Sequence, residues 1–258
     1  MSEVDAGSSL WEMSTQADQT SNGWVLNGTK TWSTMAPMAD VGVVFALTDR
    51  EKGQWGVSAF AVPMDLPGVS VTAVDKIGLT SCPFGEISFT DVELDATSIL
   101  GREGSGAAIF TAVVEFERAL LYSLEIGATA HLIERTIERA RSRVQGQTHI
   151  GAHQAVSHRI VDMVLAHESA RALLYRTTLL MDRGRSATQA AAMTKLAASE
   201  MAIQGAIDAM RTFGTLGYTA ELGLDLRLLD ALGGLSYSGT PDISRNLIAS
   251  LLGLDRPL

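Results

Sequence analysis

The chain has 258 residues, of which 46% are hydrophobic, and its formal net charge at pH 7 is −9. That length favours two domains with separate cores, and an acidic chain without a run of lysines and arginines lacks the basic surface that nucleic acid requires. The longest apolar stretches, such as 190–198, which contains Lys195 and is closely followed by Glu200, fall short of the roughly 20 residues of a membrane span. Because Cys82 is the one cysteine, we expect a cytoplasmic protein without disulfides that binds neither nucleic acid nor membrane.

The first 100 residues have the pattern of a β domain. Apolar residues 24–26, then Asn27-Gly28, then residues 29–33 predict a hairpin with a primed turn. Further short apolar runs follow at regular spacing, at 41–47, 57–62, 69–74 and 87–92. This spacing predicts a small antiparallel β-barrel or sandwich over residues 1–100.

From residue 101 the apolar period changes from two to 3.6, which indicates helices. One stripe has alternating spacings of four and three and consists of Ile126, Ala130, Ile133, Ile137 and Ala140. Similar stripes predict a second and a third helix, the third beginning at a capping box formed by Ser186 and Gln189. A fourth helix is predicted over 243–252. Because the connections are short, residues 101–258 are predicted to form an antiparallel four-helix bundle, which makes the fold class α+β.

Four segments resemble motifs of one enzyme family. They are Ser-Glu-Val-Asp-Ala-Gly-Ser at 2–8, Asn-Gly-Thr-Lys-Thr-Trp-Ser-Thr at 27–34, Phe-Gly-Thr-Leu-Gly-Tyr at 213–218 and Tyr-Ser-Gly-Thr at 237–240. Together they resemble the acyl-CoA dehydrogenase family along the whole chain. The resemblance implies FAD as the cofactor, since no side chain accepts a hydride, and dehydrogenation of an acyl thioester as the reaction.

The resemblance also implies which residues contact the cofactor. Those expected near the flavin ring and its pyrophosphate are Ser2, Ser8, Trp32, Thr34 and Thr240. Those expected near the adenosine end, partly across a dimer interface, are Arg143, Gln145, Gln154 and Gly214. Two departures from the family pattern are Gly146-Gln147 in place of Phe-Gly, and Thr215 in place of a glycine. Taken without the family, Trp32 also fits a core aromatic and residues 2–8 fit a polar, disordered terminus.

The resemblance implies that the catalytic base lies away from its usual place in the family. Most members of the family carry a catalytic glutamate directly after the motif tyrosine, where this chain has Ser238. A serine hydroxyl is too weak an acid to act as a resting base. A minority of the family carries the base in a Glu-Arg pair on the first bundle helix, which corresponds here to Glu117-Arg118. The resemblance therefore implies Glu117 as the base, with Arg118 and Ser238 at the substrate. Taken alone, Glu117 also fits an exposed carboxylate near a helix N-terminus.

The narrower resemblance concerns the substrate carrier. Phe-Glu-Arg at 116–118 and Arg-Asn-Leu-Ile-Ala at 245–249 are similar to acyl-CoA-dehydrogenase-type enzymes of polyketide and peptide-antibiotic pathways. This implies an acyl thioester on CoA or on a carrier protein, and a homo- or hetero-oligomer. In the family a helical domain precedes the first motif, so we expect a partner polypeptide that carries it; a noncatalytic remnant and an incomplete chain are the alternatives.

Two other functions fit the same motifs. One is a monooxygenase of this fold that uses reduced flavin and oxygen, and the other is an interaction protein without catalytic activity. A metal site is not expected, although His149 and His153 are four residues apart, because Gly146 and Gly151 make a helix there doubtful.

Overall fold

The computed structural model describes residues 1–254. The chain divides into two compact units, the first Met1–Val113 and the second from Val114 onward. The first holds a β-sheet and the second holds helices, so the predicted α+β class is confirmed. The domain boundary predicted at residue 100 stays a prediction.

The first unit contains one seven-stranded mixed sheet. Its strands are β1 (Gln16–Gln19), β2 (Gly23–Thr34), β3 (Val41–Leu47), β4 (Val57–Pro63), β5 (Val69–Ala73), β6 (Phe84–Asp95) and β7 (Ile99–Leu100). Their order in the sheet is β5-β6-β2-β1-β3-β4-β7. Neighbouring strands are antiparallel except β1 and β3, which pair in parallel through Gln16 and Leu47. The sheet therefore departs from the predicted antiparallel arrangement at this one pairing.

The predicted hairpin at Asn27-Gly28 is wrong, because β2 runs through it as one strand. The register against β6 shifts between Leu26 and Gly28, which marks an irregularity of the β-bulge type. Gly28 has φ 139°, and a Cβ there would lie 2.5 Å from the Thr15 hydroxyl oxygen. Glycine is needed for this close approach and not for a turn.

A buried ion pair fixes the start of the chain against β2. The Nζ atom of Lys30 lies 2.7 Å from a carboxylate oxygen of Glu3, and the two side chains are 2% and 7% exposed. The same carboxylate accepts hydrogen bonds from the backbone N–H groups of Ser14 and Thr15. Burial alone raises the pKa of Glu3, but the bonds from Lys30, Thr15 and Ser14 lower it to about 2.

We expect Glu3 to make the protein acid-sensitive. A carboxylate whose pKa is depressed on folding adds stability above its unfolded pKa and loses it as the pH falls toward the folded pKa. Here the window runs from about pH 5 to pH 2, and about 2 kcal/mol should be lost between pH 7 and pH 3. When Glu3→Gln is unfolded with denaturant at both pH values, its free energy of unfolding should not show this fall between pH 7 and pH 3. The exposed Glu12→Gln is the control, and an equal acid loss in Glu3→Gln and wild type would contradict the expectation.

The second unit is helical. Its elements are α1 (Gly106–Ser142), which begins in the first unit, the short strands β8 (Val144–Gln145) and β9 (Thr148–His149), and the helices α2 (Gln154–Asp182), α3 (Thr188–Phe213), α4 (Leu224–Leu232) and α5 (Pro241–Leu251). Four of these helices correspond to the four predicted ones, and α4 is a fifth that the periodicity does not predict. Among the predicted stripe residues, Ile126, Ile133 and Ala140 are buried.

The predicted capping box at the start of α3 is wrong. Ala187 is the N-cap residue and makes no side-chain cap. Instead Glu115, in α1, accepts hydrogen bonds from the backbone N–H of Ala187 and from the hydroxyl of Thr188. A carboxylate from another helix thus satisfies the α3 N-terminus, where the helix dipole favours negative charge.

Contacts along α1 fix the direction of the bundle helices. The start of α1 meets the start of α3 through Glu115 and Thr188. The end of α1 meets the end of α3, where the Arg139 guanidinium lies 5.7 Å from the ring centroid of Phe213. Hence α1 and α3 run parallel, and α2 connects them in the opposite direction. We call the first end the Glu117 end and the second, which also holds β8, β9 and the start of α2, the Arg143 end.

Candidate active site

At the Glu117 end, α1 and the turn before α5 bring the sequence-predicted residues together. The hydroxyl of Ser238 donates a hydrogen bond of 2.6 Å to Oε1 of Glu117. Nε of Arg118 donates one of 3.0 Å to the backbone oxygen of Ser238. Ser238 has φ 56°, in the left-handed region. Within residues 1–254 the amide N–H of Ser238 makes no hydrogen bond to the protein, so it is free to donate to a ligand.

Two cationic side chains, Arg118 and Lys195, donate hydrogen bonds to backbone oxygens in and just before this turn. Burial lowers the pKa of Arg118, and the charge of Glu117 opposes that shift; the guanidinium stays protonated. Lys195 is completely buried, and its Nζ donates a hydrogen bond of 2.8 Å to the backbone oxygen of Gly234. Burial, followed by the positive charge of Arg118, lowers the pKa of Lys195 to about 8. In the sequence Lys195 appears only as a break in an apolar run, and its place at this site is not predicted.

Two tyrosines complete the surroundings of the turn. The rings of Tyr122 and Tyr237 lie 5.6 Å apart, and Nζ of Lys195 lies 5.9 Å from the Tyr122 ring centroid. Burial, and then the charge of Glu125, raises the pKa of Tyr237 to about 12. Burial also raises the pKa of Tyr122. Both phenols are therefore neutral at physiological pH.

We expect Lys195 to make stability rise with pH on the alkaline side. The folded protein releases the lysine proton near pH 8, whereas the unfolded chain keeps it until about pH 10.5. Between these values the unfolded state binds more protons, so the free energy of unfolding increases, by about 2 kcal/mol from pH 7 to pH 9.5. Denaturant unfolding of Lys195→Met should lack this gain, while the exposed Lys52→Met keeps it. A gain of equal size in Lys195→Met would contradict the assignment.

Thr240 starts α5 at the same end. Its hydroxyl oxygen accepts a hydrogen bond of 3.2 Å from the N–H of Ile243, which makes Thr240 the N-cap. Pro241 occupies the first helical turn, where no N–H is missed. The hydroxyl hydrogen of Thr240 is not used by this cap and is available to a bound ligand. The cap thus fixes the residue predicted to contact the flavin.

The four residues predicted for the adenosine end of the cofactor all lie at the Arg143 end. Arg143 directly precedes β8 and Gln145 is its last residue, while Gln154 begins α2 and Gly214 follows α3. All four are exposed. Gly214 has φ 66°, and a Cβ there would meet no atom within 4 Å, so the backbone is open to close approach by a ligand. An exposed guanidinium and exposed amides suit a phosphate and an adenine.

In the first unit, the predicted flavin contacts lie at the end of β2 and in the segment held by Glu3. Trp32 is 56% exposed, has φ 58° and stacks on Phe84 with ring centroids 6.3 Å apart. The alternative that Trp32 is a core aromatic is therefore wrong. Thr34 is exposed at the end of β2. The backbone oxygen of Ser2 accepts a hydrogen bond of 2.9 Å from the N–H of Thr31, and Ser8 is exposed.

These residues fit FAD. A large indole is exposed to solvent on a backbone conformation that a tryptophan rarely adopts, and it offers a flat apolar face for an isoalloxazine ring. Gly214 leaves open the space that a side chain would fill. Across residues 1–254, no group of three or more His, Cys, Asp or Glu side chains is arranged to hold a metal ion. No helix in the same range is long and apolar enough to cross a membrane.

Two family models match the chain. Residues 1–92 match the acyl-CoA dehydrogenase middle domain, and residues 104–253 match the acyl-CoA dehydrogenase C-terminal domain. Among curated proteins, an L-prolyl-[peptidyl-carrier protein] dehydrogenase of Serratia sp. is 41% identical over 98% of this chain and 66% of its own length. One of Pseudomonas fluorescens is 40% identical, with 98% and 67% covered. The human mitochondrial short-chain specific acyl-CoA dehydrogenase is 35% identical, with 98% and 61% covered. The chain therefore spans about two thirds of the length of these relatives.

Solved structures agree with the sequence matches. The structure of PigA with FAD and proline superposes with a TM-score of 0.97 at 40% identity, covering 99% of this chain and 67% of PigA. The prolyl acyl carrier protein oxidase AnaB superposes with a TM-score of 0.96 at 33% identity, covering 98% of this chain and 67% of AnaB.

Proposed function

The chain belongs to the acyl-CoA dehydrogenase family, and we propose that it carries out FAD-dependent α,β-dehydrogenation of an acyl thioester bound to a carrier protein, with Glu117 as the base. An L-prolyl thioester is the first substrate to test, because two relatives at 40% identity or more are dehydrogenases of L-prolyl carrier protein. The observation that carries the proposal is the contact of Glu117 with Ser238. It places a carboxylate beside the turn where most of the family carries its glutamate.

The proposed mechanism assigns each group of this site a role. Glu117 removes the proton from the carbon α to the thioester carbonyl. The free amide N–H of Ser238 donates to the carbonyl oxygen, and this bond strengthens as the oxygen gains negative charge. Arg118 keeps the amide in place through the Ser238 backbone oxygen. Bound FAD supplies the acceptor for the hydride that leaves the β carbon.

We further propose that two subunits share each cofactor. Glu117 and the end of α1 are 25 residues apart on one helix, which is about 38 Å at 1.5 Å per residue. One FAD molecule does not span that distance. Arg143, Gln145 and Gln154 would therefore bind the adenosine end of the cofactor whose flavin lies at the Glu117 end of a neighbouring subunit. This arrangement requires at least a dimer, which we place in the cytoplasm with a carrier protein as partner.

The proposal is tested by anaerobic reduction of the bound flavin. The purified flavoprotein is mixed with L-prolyl carrier protein, with an acyl-CoA and with free proline, and flavin absorbance is followed. The protein is prepared alone and after co-expression with the N-terminal helical domain of a relative, which covers the expectation of a partner polypeptide. We expect bleaching with the carrier-bound thioester. Absence of bleaching with every thioester in both preparations would contradict the proposal, and rapid oxygen consumption with externally reduced flavin would indicate the monooxygenase instead.

A further inference from the structure

Two cationic side chains, one buried and one half-buried, donate hydrogen bonds to the backbone on either side of the turn that carries Ser238. On one side, Lys195 donates to the backbone oxygen of Gly234 at 2.8 Å. On the other, Arg118 donates to the backbone oxygen of Ser238 at 3.0 Å. Between them the N–H of Tyr237 bonds to the backbone oxygen of Gly233 at 3.2 Å. Hydrogen bonds with a charged donor are stronger than neutral ones, so the position of the turn relative to α1 and α3 is well determined.

In this turn, Ser238 has a backbone conformation that a residue with a side chain rarely adopts. Its φ of 56° lies in the left-handed region, which costs a non-glycine residue free energy unless the surroundings enforce it. The following Gly239 has φ 85°, and a Cβ there would come within 3.1 Å of the Arg118 guanidinium. Glycine is therefore required at 239, whereas at 238 the chain carries a hydroxyl in spite of the strain.

That hydroxyl is directed at the proposed base. The Ser238 hydroxyl donates to Oε1 of Glu117 at 2.6 Å, and within residues 1–254 no hydrogen bond is made to Oε2 of the same carboxylate. Three rotatable bonds separate the Glu117 carboxylate from its backbone, so an unanchored carboxylate would populate several orientations. With Oε1 engaged, Oε2 remains free to receive a proton.

We infer that Ser238 is a positioning residue whose hydroxyl orients the Glu117 carboxylate for proton abstraction, and that Arg118 and Lys195 set Ser238 in place. The inference rests on the proposed function, because it assigns a role within that site. The hydroxyl of Ser238 then has a role of its own, in addition to the role proposed for the backbone N–H of Ser238. The position of the family's usual glutamate is thus occupied by a turn residue that supports a base on α1.

The test is a kinetic double-mutant cycle on the flavin-loaded enzyme. Ser238→Gly removes the hydroxyl and accepts φ 56° without strain. We expect it to slow the limiting rate of anaerobic flavin reduction about tenfold, because misplacing a reacting group is costly, while the Kd of the thioester changes less than about twofold. In the Glu117→Gln background the same glycine change should not reduce the residual rate further. Ser236→Ala, which removes the neighbouring serine hydroxyl of the same turn, should leave the rate unchanged.

Two results would overturn the inference. One is a wild-type rate in Ser238→Gly. The other is an equal loss from Ser238→Gly in the wild-type and in the Glu117→Gln background, which would mean that the hydroxyl acts on something else. A second readout does not depend on turnover: denaturation midpoints of wild type, Glu117→Ala, Ser238→Gly and the double variant. We expect the sum of the two single losses to exceed the loss of the double variant. Additive losses would overturn the inference even if no thioester reduced the flavin, whereas that lack of reduction alone counts against the proposed function.

Discussion

Glu117→Gln should lose flavin reduction by the carrier-bound thioester, with a fall of about 10³ in the limiting rate, because general-base catalysis contributes factors of this size. The amide has nearly the same shape as the carboxylate and still accepts the hydrogen bond from Ser238, so folding and flavin binding should persist. The measurement is stopped-flow reduction under anaerobic conditions, with the flavin content determined from the absorbance of each preparation.

The matched control is Glu134→Gln, which makes the same change on the exposed face of α1. It should reduce its flavin at the wild-type rate. Unimpaired reduction in Glu117→Gln would remove Glu117 from the mechanism. If Ser238→Ala then proved the more damaging change, the chemistry would have to be centred on the turn itself, contrary to the weak acidity of a serine hydroxyl.

The sequence predicts the elements of this protein better than it predicts their connections. The apolar stripe through Ile126 and Ile133 indicates a helix because burial follows a period of 3.6. Asn27-Gly28 is misleading because the same dipeptide serves a primed turn and a bulge, and only the neighbouring Thr15 shows which is present. The N-terminus of α3 is satisfied by Glu115, which is 73 residues from Thr188, so no local motif could reveal it.

The same limit applies to the site. The Glu-Arg pair and the Tyr-Ser-Gly-Thr segment suggested Glu117 and Ser238 one by one, but their direct contact follows from the packing of a turn on α1. Lys195 carries a sequence signal of its own. A lysine inside the alanine-rich stretch of a predicted helix must either reach solvent or find a buried partner. The Gly234 backbone oxygen that it reaches lies 39 residues further along the chain, beyond any local pattern.

The proposed division of each cofactor between two subunits predicts complementation between two defective variants. Glu117→Gln lacks the base, and Arg143→Ala should bind FAD at least about tenfold more weakly, since a hydrogen bond from a charged group is lost. If Arg143 serves the neighbouring subunit, a mixed dimer contains one doubly defective site and one site with both residues intact. Purified mixed dimers should therefore show about half of the wild-type activity at an FAD concentration too low to saturate Arg143→Ala.

Mixed dimers are obtained by co-expressing the two variants with different affinity tags and purifying over both. Dimers of wild type with Glu117→Gln, prepared in the same way, are the control and should also reach about half of the wild-type activity. If Arg143 instead acts in its own subunit, each site of the mixed dimer keeps one defect and activity stays at the level of the single variants. That outcome would contradict the shared site, and it would require the chain to bring two ends of one helix, about 38 Å apart, to the same cofactor.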